Sequence, residues 1–298
     1  MVSGGGTPSA PADLAFPQSA PQSAPQSDPR TDSSPAGTPR IADDAALAAA
    51  LAAGAGHVLL GLRAEHAGSA PRDLARIGDA GAQRYLAAAL RHHRPADAVL
   101  SEEATDDTGR PAASRVWIID PLDGTREFSE EGRNDWAVHV ALWEEGRLTA
   151  AAVALPARGT VLTTEPTPRT ARRSEGSGRG PRLAVSRSRP PALIAPLARL
   201  LDARLIPMGS AGVKIAAVIE GTADAYVHAG GQYEWDSAAP VAVAMARGLH
   251  ASRIDGSPLR YNQARPWLPD LVVCHPEDRD RILAALADVT PPATETPS

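Results

Sequence analysis

The chain has 298 residues, 43% of them hydrophobic, enough for one large core or two modest ones. A net charge of −5 argues against non-specific nucleic-acid binding, so a phosphorylated ligand needs a local basic pocket. The single cysteine, Cys274, excludes an intramolecular disulfide and reads as a buried thiol, which makes the reducing cytoplasm the expected compartment. No stretch approaches 18 continuous apolar residues, and the N-terminus lacks the basic start and apolar core of a signal peptide, so no membrane association is expected.

Residues 1–40 are rich in Pro, Ser, Gly, Ala and Gln and have few large apolar groups to offset their ordering entropy; disorder is expected. Asp43 or Asp44 is a plausible N-cap for a helix running toward Arg63, with Leu47, Leu51, Val58, Leu59 and Leu62 on one stripe. Asp79 is expected to open a second helix, with Ala82, Leu86 and Leu90 on one face and Pro95 as the stop. An acidic residue in a first turn is favoured by the helix dipole, and Asp79 needs no further role on that ground.

Ala98-Val99-Leu100 reads as a short strand running into Ser101, Glu102 and Glu103, followed by a polar loop to Ser114. Val116-Trp117-Ile118-Ile119 is a buried strand that stops at two aspartates, Asp120 and Asp123, with Pro121 and Gly124 shaping a turn. A carboxylate pair at the mouth of a buried strand requires cations, backbone N–H groups or a metal. Magnesium, a hard ion that takes carboxylate and carbonyl oxygens, matches this chemistry; a turn capped by two Asp side chains matches the spacing equally well.

Trp136 to Leu142 alternates large and small apolar residues as a strand buried on both sides, and His139 within it reads as a packing residue. Returning strands at Leu148–Leu155 and Thr160–Thr164 make a meander. Glu165–Arg182 lacks apolar anchors and reads as an exposed loop. Beyond it the pattern becomes α/β: strand Leu183–Val185, helix Pro191–Leu201, strand Leu205–Ile206, helix Ala211–Ile219 and strand Ala223–Val227. Asp236 is expected to cap a helix reaching about Arg247, before strand Trp267–Cys274 and a closing helix from Glu277 to about Leu286.

Asp120-Pro121-Leu122-Asp123-Gly124-Thr125, Trp235-Asp236-Ser237-Ala238-Ala239-Pro240 and Ser101-Glu102-Glu103 together resemble the motifs of the inositol monophosphatase-like, lithium-sensitive phosphatase superfamily. The resemblance runs from about Asp43 to about Leu286. Thr125-Arg126-Glu127-Phe128, Val185-Ser186-Arg187-Ser188 and Gly209-Ser210-Ala211-Gly212-Val213-Lys214 are most similar to the bacterial CysQ branch, whose members remove the 3′-phosphate from 3′-phosphoadenosine 5′-phosphate.

The resemblance implies an α/β, five-layered αβαβα sandwich of the inositol monophosphatase and fructose-1,6-bisphosphatase type. The expected organisation is a tail at 1–40, an α+β metal-binding domain at 41–170, a mobile loop at 171–182, an α/β substrate domain at 183–290 and a tail at 291–298. It implies two Mg2+ ions held by Glu102, Asp120, the Leu122 carbonyl, Asp123 and Asp236, with Glu103 adjacent, and sensitivity to Li+. Asp79 and Thr125 would activate water alongside Glu102. Pro71-Arg72-Asp73-Leu74-Ala75-Arg76 departs from the family's lysine- and aspartate-containing loop, which puts a third ion in doubt. Asp123, Gly124, Thr125, Arg187, Gly209, Ser210, Lys214, Tyr233 and Asp236 are the implied substrate contacts. The implied partner is an adenosine bisphosphate, and the sulfated relative is a further candidate. An inositol-1-phosphatase or fructose-1,6-bisphosphatase is the nearest alternative, and a non-catalytic metabolite-binding protein a remote one. Family dimers make a homodimer an open expectation.

Overall fold

The Asp43 carboxylate accepts a hydrogen bond from the Ala45 N–H and so caps the first helix, α1 (Asp44–Glu65). The computed structural model describes residues 41–165 and 180–290; the expected tails and most of the expected 171–182 loop lie outside the described residues. By length and composition α1 could span a bilayer, although it holds no unbroken run of 18 apolar residues. Its Leu47, Leu51 and Leu59 side is instead buried in a hydrophobic core.

The second helix, α2 (Pro71–His93), begins two turns earlier than expected. Pro71 sits at the first helical position, where a missing N–H costs nothing, and Asp73 lies in the first turn. Asp79 is therefore a mid-helix residue, and the dipole account of it fails.

Strands β1 (Ala98–Ser101), β2 (Arg115–Asp123), β3 (Ala137–Glu144), β4 (Arg147–Leu155) and β5 (Thr160–Thr163) form one sheet in chain order, parallel only between β1 and β2. A short helix, α3 (Thr125–Ser129), follows β2. The second sheet contains β6 (Arg182–Ser186), β7 (Arg204–Met208), β8 (Ala225–Tyr233), β9 (His250–Ser252) and β10 (Trp267–Cys274), in the order β7-β6-β8-β10-β9. Its helices are α4 (Ile194–Leu201), α5 (Ala211–Ile219), α6 (Ala238–Ala246) and α7 (Arg279–Val289).

Alternation along the strands divides the interior into three cores. Trp117 and Ile119 of β2 join α1 and α2 in the first. Val116 and Ile118, on the opposite face, join Val213 and Val218 of α5, Val241 and Val243 of α6, and Tyr226 and Val273 of the second sheet. Val227, Val272 and Cys274 face the other way and pack on Leu197 of α4 and Ile282 and Leu286 of α7. Both sheets are thus buried on both faces, which is why their strands read as continuous apolar runs. The order helix, sheet, helix, sheet, helix is the expected αβαβα sandwich.

Candidate active site

The pairing of β2 with β3 places Asp120 opposite His139, then slips so that Asp123 lies opposite Ala137. This irregularity brings two aspartates three apart onto one strand end. Gly124 then turns the chain at φ +90°, with the Asp135 carbonyl and the Trp136 Cα each 3.3 Å from where a Cβ would sit. Glycine is the residue that tolerates both demands. The Thr125 side chain follows at the start of α3.

The two aspartates have opposite environments. Asp123 accepts from the Ser210 hydroxyl at 2.6 Å, the Gly212 N–H at 2.7 Å and the Ala211 N–H at 3.2 Å, and lies 3.2 Å from His139 Nε2. Burial pushes its carboxyl up, but His139, Lys214 and Ser210 outweigh this and hold it down at about 2. Asp120 is 1% exposed. Its Oδ1 accepts only from the Leu122 N–H at 3.0 Å, and its Oδ2 is buried with no partner. Burial, then the charges of Asp123, Glu102 and Asp236, push the Asp120 carboxyl well above the usual range.

Asp236 completes the group. It does not cap α6 as expected: it ends a 3-10 turn, Glu234–Asp236, and its carboxylate accepts from the Tyr233 N–H at 2.6 Å. Ser237 takes the flanking position, because the turn delays the start of the helix to Ala238. One carboxylate oxygen from each of Asp120, Asp123 and Asp236 lies within 4.8 Å of the others. An unpartnered buried oxygen beside two further carboxylates is the donor set of a hard divalent cation, so these three acids can coordinate metal. Burial, then the charge of Asp123, raises Asp236 to about 6.

Glu102 lies outside that tight group but in its field. It keeps contact with solvent; even so, the protein packed around its carboxyl, then the charges of Asp236, Asp123, Glu103 and Asp79, raise it to about 7. Asp79 approaches from α2. A Cβ on Gly78 would lie 2.6 Å from Phe128 and 3.0 Å from Leu122, so glycine lets α2 close on α3 and β2. The Thr125 hydroxyl then lies 3.4 Å from Asp79 Oδ1 and 3.1 Å from the Leu122 carbonyl. With one proton to donate, it serves one acceptor at a time. Burial, then the Glu103 charge, raises Asp79 to about 6 against the opposing Thr125 hydrogen bond.

A cavity of about 600 Å3 opens beside this cluster, and Asp123, Asp236, Ser210, Lys214 and Tyr233 line it. Lys214 is 6% exposed and donates to the Ser210 carbonyl at 2.6 Å and the Gly209 carbonyl at 3.2 Å, with Tyr226 beneath its ammonium. Ser210 caps α5 by accepting from Val213 N–H while its hydroxyl donates to Asp123. Two expected substrate contacts are occupied by protein. The Arg187 guanidinium bonds Glu127 at 2.7 Å and Glu130 at 3.1 Å, and the Gly209 N–H donates to Asp135 at 2.7 Å. Ser186, Ser188 and Arg189, around Arg187, line the cavity instead.

Sequence reasoning missed His139 as a polar residue. It is fully buried, and its Nδ1 lies 3.1 Å from the Trp235 carbonyl while Nε2 faces Asp123. It thereby ties the two motif segments together. The available signal was a titratable group in an otherwise apolar strand. Asp135 was also missed; its partners are Arg133 and Gly209.

A 3′-phosphoadenosine 5′-phosphate phosphatase of Mycobacterium tuberculosis is 52% identical over 239 residues, 78% of this chain and 90% of that protein. The protein of the same name from Mycobacterium leprae is 51% identical over 255 residues, covering 83% and 94%. The crystal structure of CysQ from Bacteroides thetaiotaomicron superposes with a TM-score of 0.64 at 26% identity, covering 78% of this chain and 96% of that one. The pattern of the inositol monophosphatase family matches residues 41–290, and the chain belongs to that family.

Proposed function

We propose that this protein hydrolyses the 3′-phosphate of 3′-phosphoadenosine 5′-phosphate, giving AMP and phosphate, in a magnesium-dependent reaction. The observation that carries this reading is the convergence of Asp120, Asp123 and Asp236 at one end of a cavity that also holds Lys214. The names of the mycobacterial relatives, which exceed 50% identity, support the choice of substrate.

Glu102, Asp120, the Leu122 carbonyl, Asp123 and Asp236 would hold two Mg2+ ions, with Glu103 beside them. Bound magnesium would acidify water and stabilise the leaving oxygen. The Thr125 hydroxyl donates to Asp79 and accepts from the attacking water, which the pair thereby orients. As the water oxygen bonds to phosphorus and the 3′ O–P bond breaks, the protein carboxylates take one water proton and return it to the leaving 3′-oxygen, while the other water proton stays on the released phosphate. The N–H groups of Gly124 and Thr125 provide partial positive charge for phosphate oxygens. Lys214 supplies the buried cation and Tyr233 a wall of the pocket. Residues 41–170 read as the metal-binding half and 183–290 as the substrate half. Inhibition by Li+ belongs to the same reading.

The test is phosphate release with magnesium from 3′-phosphoadenosine 5′-phosphate, inositol 1-phosphate and fructose 1,6-bisphosphate. A kcat/KM about tenfold higher for the nucleotide, roughly 1.4 kcal/mol of preference, is expected. Equal rates, or a preference for inositol 1-phosphate, would contradict the substrate assignment and leave the phosphatase reading in place.

A further inference from the structure

A ligand with two phosphates holds one of them away from the reacting centre, and that second anion needs a cation of its own. Among the described residues lining the cavity, three can carry positive charge: Lys214, His228 and Arg189. Lys214 is buried and committed to the Gly209 and Ser210 carbonyls. The His228 Nε2 bonds the Gly231 carbonyl at 2.9 Å, and burial pushes its pKa down, which favours a neutral ring. Arg189 remains: it is exposed, and its guanidinium has no hydrogen-bond or ion-pair partner among the described residues.

The motif resemblance points to Arg187 for this task, but Glu127 and Glu130 already hold its guanidinium. A cation paired with two carboxylates meets a new anion only by giving those bonds up. Arg187 works instead as an anchor, since its N–H also donates to the Met208 carbonyl at the end of β7, at 3.0 Å. Two residues on, the Arg189 N–H donates to the Ser186 hydroxyl at 3.1 Å, and Pro190 and Pro191 restrict the chain beyond it. The backbone under Arg189 is thus fixed while its side chain is free.

A guanidinium presents a planar fork of N–H donors that matches two phosphate oxygens at once. Ser188, exposed and lining the same cavity, adds a hydroxyl donor one residue away. Resting on the bisphosphate reading above, we propose that Arg189, with Ser188, binds the 5′-phosphate that is not hydrolysed. Arg189 is then the residue that selects a bisphosphate over a monophosphate, and Arg187 supports the segment that carries it.

The test compares 3′-phosphoadenosine 5′-phosphate with adenosine 3′-monophosphate, which keeps the reacting ester and lacks the second phosphate. Wild type should prefer the bisphosphate by about ten- to hundredfold in kcat/KM, mainly through KM. Arg189→Gln, which removes the charge at an exposed position, should lose most of that ratio. Its kcat/KM on the monophosphate should stay within about threefold of wild type. Arg189→Glu, with the charge reversed, should carry the ratio lower still and serves as a second variant. Arg187→Gln should keep the ratio; its loss there, with retention in Arg189→Gln, would return the role to Arg187 and overturn the proposal. An unchanged ratio in both Arg189 variants, or an equal fall on the two substrates, would overturn it too. A wild type that hydrolyses the two substrates equally well would also overturn it, with hydrolysis of the 3′-phosphate intact. A wild type that hydrolyses neither would refute the functional reading and this inference with it.

Discussion

The two ends of β2 carry clusters of carboxylates, and they are resolved in opposite ways. At the start of the strand, Arg115 bonds Glu144 at 2.5 Å, Asp44 at 2.9 Å and Asp97 at 3.1 Å, while Arg94 also reaches Asp44. At the other end, Asp120 and Asp123 meet Asp236, with Glu102 and Asp79 nearby, and among the described residues no arginine bonds any of them. His139 and Lys214 lower only the carboxyls they face, chiefly Asp123. Carboxylates gathered with arginines are a brace; carboxylates gathered without them raise one another's pKa and call for a cation from solution.

This contrast is sharpest in kinetics. Asp79→Asn and Thr125→Ala should each lower kcat by about 10²–10⁴-fold while magnesium still binds, because they remove the orientation of water and not the metal ligands. Arg115→Ala should leave kcat within about twofold. Near-normal turnover in Asp79→Asn would break the dyad assignment.

Magnesium should also distinguish the ends by stability. At about 100 times its Kd, an ion bound only by the folded state adds about 2.7 kcal/mol, a rise in Tm of about 5–10 °C for a domain of this size. Differential scanning calorimetry should show this gain in wild type and Arg115→Ala and not in Asp120→Asn. A smaller effect belongs to the brace. Arg115 and its partners are partly solvated, so screening limits Arg115→Ala to a loss of about 1–2 kcal/mol in urea unfolding. Smallest is a pH effect. Burial pushes the Asp44 carboxyl up, but Arg115 and Arg94 outweigh it and leave it below its usual value. A depressed folded pKa means stability that is fully present above the unfolded value and lost as pH falls through the folded one. The stability difference between wild type and Arg115→Ala should therefore shrink below about pH 4; a difference that grows with acid would contradict the pairing.

What the sequence made legible was local. Strand periodicity and the Asp43 cap follow from neighbours along the chain, and the fold class follows from them with the motif resemblance; the expected stop at Asp120 is instead a slip in register within β2, which runs on to Asp123. Asp79 shows how a locally legible start can still be misread: Pro71 and Asp73 carried the true signal for the beginning of α2. The partners of His139, Arg187 and Gly209 were not legible. They lie across the fold at Trp235, Glu127 and Asp135, and no period or cap reports a contact between residues so distant in sequence. The orphan oxygen of Asp120 belongs to the same class, since only the packed structure shows that no protein donor reaches it.

The most direct test of the account is a calorimetric titration of magnesium into chelator-treated wild type and Asp120→Asn, with folding of both checked by circular dichroism. If the uncompensated end of β2 is a metal site, wild type binds magnesium saturably and the asparagine variant loses at least tenfold in affinity. Equal affinity in the two proteins, or no binding in wild type, would contradict it.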